Sequence, residues 1–196
     1  MSEKNPTRQL ILEAVVTCIE KYGIDKVTTR KIAKEAGTNI ASINYYFRSK
    51  DGLVSTALSM TINHMMEDVI SAIDDVQRPL EEILENVFFY LLEGSLRYPG
   101  VSTAHLYKAI TEKKYDSISA QAIIKVFDRL IERVTREDPQ RDPAETRLLL
   151  SQILSSIMFT MLAPNFFSVA QKHQLTSPEH AKNLAAYYTN LFLKTK

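Results

Sequence analysis

Between Thr28 and Leu53 the chain reads TTRKIAKEAGTNIASINYYFRSKDGL, a stretch that gathers side chains able to hold a polyanion. Residues 26–50 carry Lys26, Arg30, Lys31, Lys34, Arg48 and Lys50 against Glu35 alone, a local charge of +5. Hydroxyl and amide groups interleave with these cations at Thr28, Thr29, Asn39, Ser42, Asn44, Tyr45 and Tyr46. Cations placed on phosphates supply affinity that is independent of sequence, whereas hydrogen-bonding side chains at a groove floor supply readout. The whole-chain charge of +1 conceals this patch, because residues 56–196 hold fifteen basic and seventeen acidic side chains. A compact basic segment on a mildly acidic body predicts an anionic partner for the N-terminal end.

Catalysis lacks ingredients. The four histidines, His64, His105, His173 and His180, show neither HExxH nor Cys/His metal spacing, so no metal site and no cofactor are expected. No serine sits in a GxSxG elbow, and five glycines leave no glycine-rich phosphate loop. The single cysteine, Cys18, lies on an apolar helical stripe, reads as a packed small hydrophobe and excludes an internal disulfide. The opening MSEKNPTRQL has no apolar signal region and no run approaches a membrane span, so a cytoplasmic protein with no membrane partner and no enzymatic activity is expected.

The elements that must position the basic stretch are helices. Residues 7–22 place Ile11, Ala14, Val15, Cys18, Ile19 and Tyr22 on one stripe, opened by Asn5-Pro6 and closed by Gly23. Short helices follow from Thr29 to Ala36, capped by Thr28, and from Ile40 to Phe47, capped by Asn39. A long helix is predicted from Lys50 to Asp75, then further helices over residues 79–98, 101–114, 117–137, 143–171 and 178–194, punctuated by Pro99-Gly100, Pro139, Pro143 and Pro178. No segment alternates like a half-buried strand. The fold class is all-α with about nine helices: a three-helix module over residues 1–50, and a larger helical domain over residues 51–196.

The two short helices joined by Gly37-Thr38-Asn39 make a helix-turn-helix, with Gly37 at the positive-φ exit of the first. Ile32 and Ala33 pack against Ile40, Ile43 and Phe47; the opposite face presents Ala41, Ser42 and Tyr45, with Asn44 and Tyr46 on the flanks. Small side chains at the N-terminal end of such a helix let it enter a major groove.

At Thr28-Thr29-Arg30-Lys31-Ile32-Ala33-Lys34-Glu35-Ala36-Gly37, then Ile43, Tyr45-Tyr46-Phe47 and Ser49-Lys50-Asp51-Gly52-Leu53, the chain resembles the TetR family of bacterial transcriptional regulators. The resemblance spans about 45 residues, from the first helix to the start of the fourth. It implies a regulator, most often a repressor, that binds a palindromic DNA operator as a homodimer and is released by a small molecule held in the C-terminal domain. Carried over, it puts recognition contacts at Ala41, Ser42, Asn44 and Tyr45 and phosphate contacts at Thr29, Tyr46 and Lys50. Arg30 falls near the backbone or a groove edge, and Thr28 and Asn39 stand at the two helix starts. Many relatives carry Tyr where this chain has Asn44 and His where it has Tyr46. Asn44 has the chemistry to pair with adenine, and its flank position serves a phosphate equally.

The C-terminal domain offers less. Met65, Met66, Phe89, Leu92, Phe127, Met158 and Phe159, with His105 and Tyr107 as polar handles, are candidates to line an apolar pocket for a lipophilic effector. Residues 148–167 are apolar around more than one stripe, which predicts burial on two sides. Leu150, Leu154, Ile157 and Met161, with Leu184, Tyr188, Leu191 and Phe192 of the last helix, are the candidate interface with a second copy. An alternative role for this domain is to bind a protein partner rather than a small molecule.

Overall fold

A computed structural model describes residues 5–163, 166 and 177–195, and all regular structure among them is helical. Helix α1 (Pro6–Tyr22) starts where the Asn5 side-chain oxygen accepts from the Thr7 and Arg8 amides, and ends at Gly23 with φ +78°. A 3-10 turn (Ile24–Lys26) leads to α2 (Thr29–Glu35) and α3 (Ile40–Tyr46). Then come α4 (Lys50–Asp74), α5 (Leu80–Arg97), α6 (Pro99–Thr111), α7 (Ile118–Glu137), α8 (Pro143–Leu162) and α9 (Pro178–Lys194). No helix of the described residues is long and apolar enough to cross a membrane. None of them forms a group of three or more His, Cys, Asp or Glu that could hold a metal ion.

Two apolar clusters organise these helices. The first joins Ile11, Val15, Cys18 and Ile19 of α1 to Ile32, Ile43 and Phe47, and it also takes in Leu53, Val54 and Ala57 of α4 and Val101 and Ala104 of α6. The second fills the larger body with α4 from Ile62 onward, α5, α7, α8 and α9. Helix α4 therefore runs from one cluster into the other, and α6 leans on both the head and the body.

Two buried or half-buried arginines close helix ends that the chain does not close locally. Arg133 of α7, 3% exposed, donates to the carbonyls of Ile73 (3.0 Å), Asp75 (2.9 Å) and Arg78 (2.7 Å) and pairs with Glu137. These bonds satisfy the last carbonyls of α4 and the loop beyond it. Arg141 does the same for α9, donating to the carbonyls of Phe192 and Thr195 with its guanidinium 4.1 Å from the Phe192 ring centroid.

The sixth helix ends at Thr111 rather than at residue 114, and two other boundaries also differ from expectation. The sixth helix begins at Pro99 rather than at residue 101, because proline is well tolerated at a helix start and the Glu20 carboxylate of α1 caps the Gly100 and Val101 amides at 3.1 and 2.7 Å. A Cβ on Gly100 would lie 2.8 Å from the Ile19 carbonyl, so only glycine permits this approach. The eighth helix ends at Leu162, not at residue 171, since Ala163 (φ −138°, ψ 59°) precedes Pro164, and a residue before proline avoids the helical region. The rest of that expected helix, residues 164–171 apart from Phe166, lies outside the described residues.

Candidate nucleic-acid interface

The turn between α2 and α3 is built from backbone bonds. Gly37 (φ +62°) follows the end of α2, the Thr38 amide donates to the Ala33 carbonyl at 2.9 Å and the Gly37 amide to the Lys34 carbonyl at 3.4 Å. This double bond pattern needs a left-handed residue after the helix, which glycine adopts at no steric cost. The side chains of Thr28 and Asn39 then accept from the Lys31 (3.3 Å) and Ser42 (2.8 Å) amides and fix the starts of α2 and α3. Thr28 and Asn39 thus each commit a side-chain oxygen to a cap.

Helix α3 buries Ile43 and Phe47 and turns the other face outward. Ala41, Asn44 and Tyr45 are exposed, Tyr45 at 83%, while Ser42 and Tyr46 are half-buried. Tyr45 and Tyr46 meet edge to face with centroids 5.0 Å apart, which stiffens both rings. Ile40, expected to face α2, is instead 41% exposed. Taking about 100° per residue it falls off the Ile43–Phe47 axis toward Asn44, so it adds an apolar contact to the outer face. Sequence spacing contained that offset, but the residue type pointed inward.

The basic side chains divide by what they already hold. Lys21 pairs with Glu35 at 2.7 Å, a hydrogen bond that raises the Lys21 pKa. Lys31 donates to the Lys26 carbonyl at 2.8 Å and sits 4.2 Å over the Tyr22 ring, so it serves the fold. Arg8 lies 5.2 Å over the Phe47 ring and places a further cation beside the end of α3. Arg30, Lys34, Arg48 and Lys50 are exposed around α2, α3 and the start of α4, and Thr29 is half-buried.

The candidate effector residues scatter. One cavity, about 540 Å³, lies between α1, α4, α5 and α6 and reaches Met161 of α8. Met65 and His105 line it; Met66 and Leu92 are buried in the body core, with Phe89 and Phe127 packed against that core. Met158 is half-buried and Phe159 is 43% exposed on α8. Tyr107 lines a smaller, polar cavity of about 310 Å³ beside Lys50, Asp51 and Lys108, where His105 forms part of the shared wall. His105 bridges three helices, its Nδ1 2.8 Å from the Ser119 hydroxyl and its Nε2 3.1 Å from that of Thr61. Burial lowers its pKa from 6.5 to about 4, so the ring is neutral.

Of the candidate interface residues, Leu150, Leu154, Ile157, Tyr188 and Phe192 are buried within the protomer's own core. Tyr188 donates or accepts across a 2.6 Å contact with the Ser156 hydroxyl. Met161 and Leu184 are half-buried and Leu191 is exposed. The large apolar groups that α8 and α9 turn outward are Leu148 (59% exposed), Phe159, Tyr187 (62%) and Leu191. Leu148 and Tyr187 are hard to read from sequence because both sit inside unbroken apolar runs, where periodicity is blurred.

The comparisons with known proteins converge on this N-terminal unit. The family model for bacterial regulatory proteins, tetR family, matches residues 11–57, which run from within α1 to Ala57 of α4. The nucleoid occlusion factor SlmA of Vibrio campbellii is 28% identical over 167 residues, covering 80% of this chain and 82% of that protein. The HTH-type transcriptional regulator BetI of Yersinia pestis is 30% identical over 86 residues, covering 41% of this chain and 43% of BetI. Among solved structures, the fatty acid degradation regulator FadR of Bacillus halodurans shares the fold with a TM-score of 0.73 at 16% identity, covering 99% of this chain and 98% of that one. The FadR of Bacillus subtilis in complex with stearoyl-CoA superposes with a TM-score of 0.66, also at 16% identity, covering 96% and 98%. With a glycine-turned helix pair at residues 29–46 inside the matched region, residues 11–57 of this chain form a helix-turn-helix unit of the bacterial tetR family of regulatory proteins.

Proposed function

We propose that this protein is a sequence-specific DNA-binding repressor that acts in the cytoplasm, binds a palindromic operator as a homodimer and is released by a small lipophilic effector. The observation that carries the reading is the outer face of α3: exposed Ala41, Asn44 and Tyr45 on a rigidly capped helix, ringed by the exposed cations Arg30, Lys34, Arg48 and Lys50. We take residues 1–50 as the reading head and 51–196 as the body. Ala41, Ser42, Asn44 and Tyr45 read bases; Thr28, Thr29, Arg30, Asn39, Tyr46 and Lys50 hold the backbone. No catalytic role is assigned.

Dimerisation follows from two helices with apolar outward faces. Leu148, Phe159, Tyr187 and Leu191 on α8 and α9 would meet their counterparts across a two-fold axis, and symmetric pairing of this kind is the common solution for soluble oligomers. The buried Leu150, Leu154, Ile157, Tyr188 and Phe192 would support that face from beneath. A two-fold dimer sets two α3 helices about 34–36 Å apart on successive major grooves, so small changes in their spacing weaken binding. A second reading, in which the body binds a protein, is favoured by one observation: relatives matched over most of their length are nucleoid occlusion factors. Selection of binding sites from a random duplex pool tests the principal reading. An inverted repeat with two protomers bound, and a dimer by analytical ultracentrifugation, is the expected result; no enriched sequence would refute it.

A further inference from the structure

We propose that the 540 Å³ cavity between α1, α4, α5 and α6 is the effector site, that it takes an uncharged amphiphile with an apolar body and a hydrogen-bonding end, and that occupancy acts on the reading head through the Glu20 carboxylate joining α1 to α6. The proposal rests on the reading of the protein as an effector-released DNA binder.

The cavity has the size of a small-molecule site, and its walls belong to different parts of the molecule. Val16 and Thr17 come from α1 of the head, while Val101, Ser102 and His105 come from α6 on the other side. A molecule that fills it therefore touches both sides of the head–body joint directly, and not through α4 alone. Met60, Met65 and Met161 supply an adaptable apolar lining.

The charge inventory selects the ligand class. Glu93 is committed to Arg97 at 3.0 Å, Glu13 accepts from the Gln9 amide at 3.0 Å, and both ring nitrogens of His105 are engaged. Of the lining groups that carry or can take a charge, Glu93 and Arg97 pair with each other while Glu13 and His64 are exposed to water, so an ion moved into the apolar interior would lose its hydration without a buried partner. The Ser102 hydroxyl lies within the lining to meet a neutral polar end, whereas the Thr61 hydroxyl already donates to the Leu58 carbonyl and contacts His105.

The joint is tight. The first turn of α6 sits against the α1 backbone so closely that a Cβ on Gly100 would lie 2.8 Å from the Ile19 carbonyl and 2.9 Å from the Glu20 Cα. Val101 both donates its amide to Glu20 at 2.7 Å and lines the cavity. Displacing Val101 therefore pulls on α1, whose Val15, Cys18 and Ile19 share one apolar cluster with Ile32 and Ile43 of the helix pair.

Full-length protein, a duplex from the selection and three probes of one chain length test this: decanol, decanoate and decyltrimethylammonium. Calorimetry should show decanol binding to the wild type, with both ions weaker by about tenfold or more. Gly94 lines the cavity and a Cβ there meets nothing within 4 Å, so Gly94→Leu should fill it and abolish decanol binding. Thr17→Phe from the opposite wall should do the same. Decanol should weaken wild-type DNA binding by about 5–150-fold, the usual span of coupling between sites. Glu20→Gln should bind decanol like the wild type yet lose most of that coupling.

Absence of decanol binding to the wild type, unchanged binding to both filled variants, or preference for either ion overturns the site or its ligand class. Decanol that binds the wild type without changing its DNA affinity, or Glu20→Gln with full coupling, overturns the joint. A wild type that binds no duplex in the ligand-free arm instead defeats the parent reading, and the filled variants still decide the site by calorimetry.

Discussion

Replacing Arg133 with methionine should loosen the far end of α4 while leaving the DNA-facing surface intact. The guanidinium is 3% exposed and donates to three backbone carbonyls, those of Ile73, Asp75 and Arg78, at 2.7–3.0 Å. A hydrogen bond from a charged donor contributes roughly 1.5–3 kcal/mol, but three from one group do not add. Methionine keeps the apolar stem and avoids the cost of burying a cation, which offsets part of the loss. What remains is a set of buried acceptors without donors, each costing about 1–3 kcal/mol and not additively, so about 3–5 kcal/mol together. Glu137, 35% exposed on its side chain, can rehydrate and adds little. For a chain of this length 1 kcal/mol moves Tm by about 2–4 °C, so Arg133→Met should lower Tm by about 6–20 °C. Circular dichroism melts and urea titrations of the full chain measure it. A loss below about 1 kcal/mol would refute the reasoning, because the three carbonyls would then have found water and the arginine would not be the anchor of α4.

Four further outcomes are expected. Lys50→Ala should weaken DNA binding evenly across sequences and make the salt dependence shallower by about 0.9 in log–log slope for each phosphate that is no longer neutralised, read by fluorescence anisotropy over a salt series. Asn44→Ala should relax preference at one operator position in a repeat of the selection; uniform weakening would place Asn44 on the backbone instead. Gly37→Ala should cost about 1–2 kcal/mol in a thermal melt, since φ +62° is left-handed for an L residue. The pH dependence has a definite sign: burial lowers the His105 pKa from 6.5 in the unfolded chain to about 4, so the unfolded state takes up the proton first. Stability conferred by neutral His105 is complete above pH about 6.5 and is lost progressively toward pH about 4, by at most about 3 kcal/mol, and His105→Asn should flatten that part of the wild-type profile in urea titrations.

The DNA-facing half was legible in the chain because its determinants are local. Caps at Asn5, Thr28, Asn39 and Ser49 precede their helices by fixed steps, Gly37 marks the turn, and the cations cluster in sequence as they do in space. Ile40 shows the limit: residue type argued for burial, and only its angle on a two-turn helix places it outside. The body was less legible because its determinants are distant in sequence. Glu20 capping α6 across eighty residues, Arg133 closing α4 from α7, and Arg141 closing α9 leave no local pattern. The cavity is likewise assembled from α1, α4, α5 and α6, so an apolar list drawn from the body alone recovered Met65 and His105 and could not include Val16 or Thr17. Long apolar runs on α8 hid which face is outward, since every angle carried a hydrophobe.

Anisotropy titration of the full-length protein against its selected duplex and a scrambled duplex, at low and physiological salt, decides whether α3 reads DNA sequence. The selected duplex is expected to bind about a thousandfold or more tightly than the scrambled one at physiological salt, with affinity for both falling steeply as salt rises. Equal affinity for the two duplexes, or affinity indifferent to salt, would contradict that expectation.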